Sequence, residues 1–205
     1  MCLAYLDDIL VYGRTFKEAV KNLKMVLRRL KSKGVKLRVD KCQFLKTEVR
    51  YLGRVISEHG YRPDPEDNQA LEKFRAPPRN VGEMRGLVGF LGYYRNYIKD
   101  FAKKLKPVYD LIKMDKVDLG GKEKLKKAKG YDKRKVVQWT PDLSKIINEV
   151  IDTLQSPVVM AYPNFDSPFI LNCDASGLGL GAVLYQQQGD KLRVISYASR
   201  TLTEE

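Results

Sequence analysis

Two adjacent carboxylates stand inside an apolar, β-prone run near the start of the chain, Ala4-Tyr5-Leu6-Asp7-Asp8-Ile9-Leu10-Val11. Asp is depleted in strands, and an unpaired carboxylate near a core is costly. The pattern therefore predicts a hairpin, with Leu3 to Tyr5 and Ile9 to Tyr12 as strands and Asp7 and Asp8 at the tight connection. Clustered negative charge of this kind suits a hard divalent cation, which takes carboxylate oxygens as ligands. An ordinary Asp-Asp surface turn would account for the same eight residues, so the rest of the chain has to decide. A third candidate carboxylate is Asp174, carried by the apolar strand pattern Phe169-Ile170-Leu171-Asn172-Cys173-Asp174-Ala175-Ser176. There the plain alternative is a cap or turn.

Composition narrows the setting. With 205 residues and 43% hydrophobic content, the chain has material for one sizeable or two small cores. A formal net charge of +13 favours a polyanionic partner, without choosing the chemistry performed on it. Cys2, Cys42 and Cys173 are odd in number and widely spaced, which fits neither a disulfide framework nor a CxxC zinc site and suggests a reducing interior. His59 is the sole histidine and lies in a Glu58-His59-Gly60 turn signal, so neither a zinc site nor a histidine acid/base pair is expected. No 18-residue apolar run occurs, which argues against membrane insertion.

The elements that would position these carboxylates can be read from periodicity. Phe16, Val20, Leu23, Leu27 and Leu30 recur at helical steps, with basic residues between them through Lys33 and a stop at Gly34. Val35, Leu37 and Val39 then alternate with Lys36 and Arg38, as in a half-buried strand. Between Lys17 and Arg50 there are twelve Lys or Arg against three acids, a basic excess suited to summed phosphate contacts. The run from Val49 to Ser57, closed by the turn at Glu58 to Gly60, predicts a second hairpin with an irregular exit at Pro63-Asp64-Pro65.

A break at Pro77-Pro78 precedes a predicted helix capped by Asn80 and Glu83, with Val81, Met84, Leu87, Val88 and Leu91 as its apolar stripe. Its glycines would let it approach a neighbour or a duplex. The pattern does not sort Tyr93, Tyr94 and Tyr97 between core and surface, whereas the guanidinium of Arg95 suits phosphate. From Lys113 to Lys135 the chain is strongly basic and carries Gly120-Gly121, which reads as an exposed linker. Thr140 and Pro141 then open another helix, with Ile147, Val150 and Leu154 on one face. After Asp174, a glycine-rich turn leads to the β-prone run Ala182 to Tyr185, and Gln188-Gly189-Asp190 turns the chain into Leu192 to Tyr197.

Taken together and in this order, YLDDILVYG, the YLG run at Tyr51-Leu52-Gly53, FLGYYRNYI and CDASGLGLGAVL resemble the pol polyprotein of gypsy-type long-terminal-repeat retrotransposons. The resemblance implies an α+β fold: partial reverse transcriptase palm hairpins and a helical thumb, followed by an incomplete ribonuclease H-like mixed sheet. It implies the C-terminal part of the palm at 1–64, thumb at 65–114, basic linker and connection helix at 115–156, and the start of a ribonuclease H-like domain at 157–205. The implied activity is RNA-directed DNA polymerisation by two-metal nucleotidyl transfer, with an attached ribonuclease H.

Under that resemblance Asp7, Asp8 and Asp174 are the catalytic and metal-binding carboxylates, at two separate sites. Tyr5 would pack under the primer terminus, Tyr51, Leu52 and Gly53 would position the primer backbone, and Arg95 would contact nucleic acid. The implied cofactor is Mg2+, with Mn2+ as a substitute. The implied partners are an RNA template, a DNA primer, an RNA/DNA hybrid and the remainder of the pol polyprotein, in the cytoplasm, a virus-like particle or the nucleus, with no membrane. An upstream palm aspartate, fingers and further ribonuclease H carboxylates would lie outside these 205 residues, so the isolated chain is expected to be inactive. The alternative is a domesticated or decayed retroelement product that binds nucleic acid without catalysis.

Overall fold

The structure, a computed structural model, describes residues 1–117, 134–156 and 159–202, and the chain forms two compact units, Met1–Glu58 and His59–Glu205. In the first unit, strands β1 (Cys2–Tyr5) and β2 (Asp8–Val11) pair antiparallel with Tyr5 opposite Asp8. Leu6 and Asp7 alone make the connection. Asp8 is therefore a strand residue and not a turn residue, because a two-residue loop closes this register. Helix α1 (Phe16–Ser32) follows. Thr15 caps it by accepting the Glu18 N–H at 3.2 Å, while Glu18 accepts the Arg14 N–H at 2.9 Å. Gly34, at φ +70°, ends the helix by donating to Lys31 O at 3.1 Å.

Two sequence expectations change in this unit. No strand forms over Val35 to Val39: a 3-10 turn occupies Val39–Lys41, and Val35, Leu37 and Val39 are all exposed. An alternating segment becomes a strand only against a partner, and among the described residues it has none. The run from Val49 to Ser57 is not one strand but two, β3 (Glu48–Tyr51) and β4 (Arg54–Ser57), paired with Tyr51 opposite Arg54. Leu52 and Gly53 both have positive φ, at 50° and 67°, the requirement for a type I′ turn that matches strand twist.

The second unit holds the core. Strand β5 (Gly60–Pro63) leads into α2 (Pro65–Glu72), α3 (Val81–Tyr93), a 3-10 turn at Arg95–Tyr97, and α4 (Phe101–Val117). Helix α5 (Pro141–Gln155) and strands β6 (Ile170–Ser176), β7 (Gly179–Gln188) and β8 (Lys191–Thr201) complete it. The expected caps are present: Asn80 Oδ1 accepts the Glu83 N–H at 2.9 Å, and Thr140 Oγ1 the Leu143 N–H at 3.4 Å. Both expected stripes are buried, Val81 through Leu91 on α3 and Ile147, Val150 and Leu154 on α5. They meet Leu105 and Val108 of α4 and Leu71 of α2 in one cluster. Tyr94 and Tyr97 belong to it, while Tyr93 is half exposed.

The three C-terminal strands form an antiparallel sheet in the order β6-β7-β8, whose inner residues Val183 and Ile195 are buried. Ala102 N–H donates to Ser199 Oγ at 2.8 Å, tying α4 to β8. Tyr61 and Met160 exchange two backbone hydrogen bonds of 2.9 Å, and Tyr61 Oη donates to Ile195 O at 3.3 Å, tying β5 to the same sheet. Gln186 is fully buried and satisfied: Oε1 accepts the Asn164 N–H at 2.8 Å and Nε2 donates to Asn164 O at 2.7 Å. Most of the expected basic linker, residues 118–133, lies outside the described residues, and its first part, through Val117, continues α4. No described helix is long and apolar enough to cross a membrane.

Candidate functional site

The β1–β2 hairpin presents Asp7 and Asp8 at its tip, both exposed. Leu6 beside them has φ +50° and is 87% exposed. An L-residue in that region is strained, so the short loop, and not burial of its side chain, sets the conformation. Neither carboxylate accepts a hydrogen bond among the described residues. Tyr5 ends β1 directly opposite Asp8, and its ring is exposed on the hairpin.

No group of three or more His, Cys, Asp or Glu able to hold a metal is found among the described residues. Two adjacent carboxylates still fit one class of cation. Mg2+ keeps much of its water and is commonly held by one or two carboxylates together with substrate phosphates, not by an all-protein cage. The donor set of the hairpin, two exposed carboxylates that accept no hydrogen bond among the described residues, matches that habit.

Tyr51, Leu52 and Gly53 sit together at the β3–β4 turn, with Tyr51 half-buried and Leu52 exposed. The glycine thus serves the turn. Arg95 lies in the 3-10 turn after α3 and is exposed, as a phosphate contact requires. Gly86, Gly89 and Gly92 on α3 have open space where a Cβ would go, so within the described residues they bring no neighbouring helix closer.

Asp174 occupies the middle of β6, exposed, with Gly181 of β7 as its cross-strand partner and Ser199 of β8 beyond. Cross-strand partners share a face. Above Gly181 lies a carboxylate that periodicity does not reveal: Asp100 Oδ1 is 2.6 Å from the place a Gly181 Cβ would take. Asp100 has φ +56°, just ahead of α4. Asp100, Lys103, Asp174, Ser176 and Arg200 line a recess of ≈ 10 Å³, about the room of a single water. The available sequence signal was the absence of a side chain at Gly181, which leaves space over the strand next to Asp174.

Residues 1–56 match the family described as "Reverse transcriptase (RNA-dependent DNA polymerase)", and residues 139–205 match the "RNase H-like domain found in reverse transcriptase". Those two stretches resemble a reverse transcriptase and its ribonuclease H-like domain. The chain is 32% identical, over its whole length, to the "Retrovirus-related Pol polyprotein from transposon opus" of Drosophila melanogaster, and 31% identical to that from transposon gypsy of the same organism. It spans 19% of the length of each of these relatives. Among solved structures it is similar to a foamy viral protease-reverse transcriptase in complex with double-stranded DNA (TM-score 0.79, 24% identity, 98% of this chain and 32% of that one). A second structure, of the foamy viral enzyme with an RNA/DNA hybrid, gives TM-score 0.76 at 23% identity and covers 98% of this chain and 25% of that one. At that identity the likeness speaks for the α+β fold.

Proposed function

We propose that this segment serves RNA-directed DNA polymerisation, with an attached ribonuclease H, in a gypsy-type Pol polyprotein. The observation that carries the reading is the pair Asp7 and Asp8, which accept no hydrogen bond among the described residues and stand at a hairpin tip inside the stretch that matches the reverse transcriptase family. Residues 1–64 are read as palm, 65–114 as thumb, 115–156 as linker and connection helix, and 157–205 as the start of the ribonuclease H-like domain.

In this reading Asp7 and Asp8 hold Mg2+, or Mn2+ in its place, and the ion supplies Lewis-acid stabilisation of charge on a reacting phosphate. Asp7 is the principal ligand and Asp8 its supporting neighbour. Tyr5, exposed opposite Asp8, offers a flat ring to the primer terminus, and the turn at Tyr51, Leu52 and Gly53 offers backbone groups to the primer strand. Arg95 contacts phosphate. Asp174 is a metal-binding carboxylate of a separate hydrolytic site acting on an RNA/DNA hybrid. The partners are then an RNA template, a DNA primer, their hybrid and the remainder of the Pol polyprotein, in the cytoplasm, a virus-like particle or the nucleus.

Mn2+ titration followed by amide NMR tests the first site. Paramagnetic broadening is expected to centre on Leu6 to Ile9 and to vanish in Asp7→Asn, with the rest of the spectrum unchanged. Broadening spread evenly over exposed carboxylates, and indifferent to Asp7→Asn, would remove the metal role of the hairpin.

A further inference from the structure

Helix α1 carries Lys17, Lys21, Lys24, Arg28 and Lys31 at successive steps of four, three, four and three residues. At about 100° per residue these five fall within roughly 40° of one line along the helix, and at ~1.5 Å per residue the line runs for about 21 Å. All five are exposed. The opposite side holds Ala19, Asn22, Leu23, Val26 and Leu30, buried or half-buried. Asn22 Nδ2 donates to Tyr12 O at 2.7 Å, which fixes that side as the one meeting the hairpin. The cationic row therefore faces away from β1 and β2.

The row is also unneutralised. None of its members makes an ion pair among the described residues, and the sole acid of α1, Glu18, is engaged in capping. Other cations differ: Arg38, Arg75, Arg79 and Lys106 each pair with a carboxylate. Like charges three and four residues apart destabilise a helix, so an external polyanion would relieve the row. Along one nucleic-acid strand charges recur about every 3.4 Å of axis, so the row faces roughly six phosphates with five cations. A membrane-surface helix would present its whole apolar face outward beside its cations, whereas here Val20, Leu23, Val26 and Leu30 are half-buried on the far side and, of the large apolar residues, only Phe16, Met25 and Leu27 are exposed.

We propose that this row is an auxiliary nucleic-acid contact, a sequence-independent ridge for a single strand on the side of α1 turned away from Asp7 and Asp8. The choice of nucleic acid among polyanions rests on the reverse transcriptase reading, whereas the position of the ridge does not.

Fluorescence anisotropy of the 205-residue chain with a labelled oligouridylate, between about 50 and 200 mM salt, tests it. Replacing all five residues by Gln should reduce the steepness of log K against log salt by about 3.5, at ~0.7 per lost phosphate contact, and Lys21→Gln with Arg28→Gln by about 1.4. A version with Arg at all five positions should keep the parent slope. So should Arg79→Gln, since Arg79 is already held by Glu83. Gln is a good helix former, and circular dichroism checks that α1 survives. An unchanged slope in the five-Gln and double variants overturns the ridge while leaving the polymerase reading intact. Failure of the parent to bind RNA at all overturns the ridge together with the nucleic-acid part of that reading. Loss of binding to phosphatidylserine vesicles with the RNA slope intact overturns the ridge in favour of a lipid surface.

Discussion

Gly60→Ala is the single-methyl change expected to damage this protein most. Gly60 has φ +136°, a region open to glycine and strained for every L side chain. An added Cβ would stand 2.1 Å from Met160 O and 2.9 Å from Val159 Cγ1. The obstacle is a backbone carbonyl that accepts the Tyr61 N–H at 2.9 Å, and Met160 itself is 1% exposed. Neither group can step aside without opening the link between β5 and the C-terminal sheet. Backbone strain of order 1–3 kcal/mol, added to two bridge hydrogen bonds at about 1 kcal/mol each, gives a loss of about 3–5 kcal/mol. That is a large share of an ordinary stability of ~5–15 kcal/mol. At roughly 2–4 °C per kcal/mol for a unit of this size, the melting midpoint should fall by about 6–20 °C. Trp139 is the only tryptophan and lies in the second unit, so its fluorescence during urea unfolding reports the relevant transition. Gly86→Ala on α3 is the control: it meets nothing within 4 Å and should gain up to about 1 kcal/mol. A Gly60→Ala protein within about 0.5 kcal/mol of the parent, or equal losses in both variants, would refute the steric argument.

Gln186→Leu should destabilise the second unit by about 1–2 kcal/mol in urea unfolding, because it removes the hydrogen bonds that the buried Gln186 side chain makes to Asn164 N–H and C=O. Leu105→Ala should cost about 2–5 kcal/mol, since Leu105 is fully buried, whereas Leu37→Ala in the exposed stretch after α1 should stay within about 0.5 kcal/mol. Hydrogen bonds from Gln155 and then Arg75 hold the Glu72 carboxyl below its ordinary range. Its contribution is therefore present above the usual glutamate pKa of ~4.3 and lost as pH falls through the lowered folded value. Acid titration of thermal stability should show this loss in the parent and a flatter profile in Glu72→Gln.

Local chemistry made much of this protein legible from its residues. Asn80 with Glu83 and Thr140 with Pro141 start their helices as capping groups do anywhere, because the unpaired N–H groups they satisfy lie within a few residues. The stripes of α3 and α5 were readable because helical period alone decides which side chains share a face. The β1–β2 hairpin was readable too, since a two-residue loop between apolar runs has few alternatives, although the step placing Asp8 in the strand came from register. What failed depended on partners distant in sequence. Val35 to Val39 has the alternation of a strand and stays irregular, because alternation states a capacity to pair and says nothing of whether a neighbour arrives.

Helices α2, α3, α4 and α5 share one core in the second unit, and α4 is tied to β8. A single helix can bury its apolar stripe only against another element, so which helices share a core is settled by long-range packing. The approach of Asp100 to Asp174 is likewise tertiary. Only the register that sets Asp174 opposite a glycine, and the turn that brings α4 over that glycine, puts the two carboxylates beside one recess. Sequence thus determined which residues could do chemistry and which local elements carry them, because those choices rest on short-range sterics and hydrogen bonds. Tertiary structure decided which of them meet, because that depends on long-range burial for which no local pattern is a substitute.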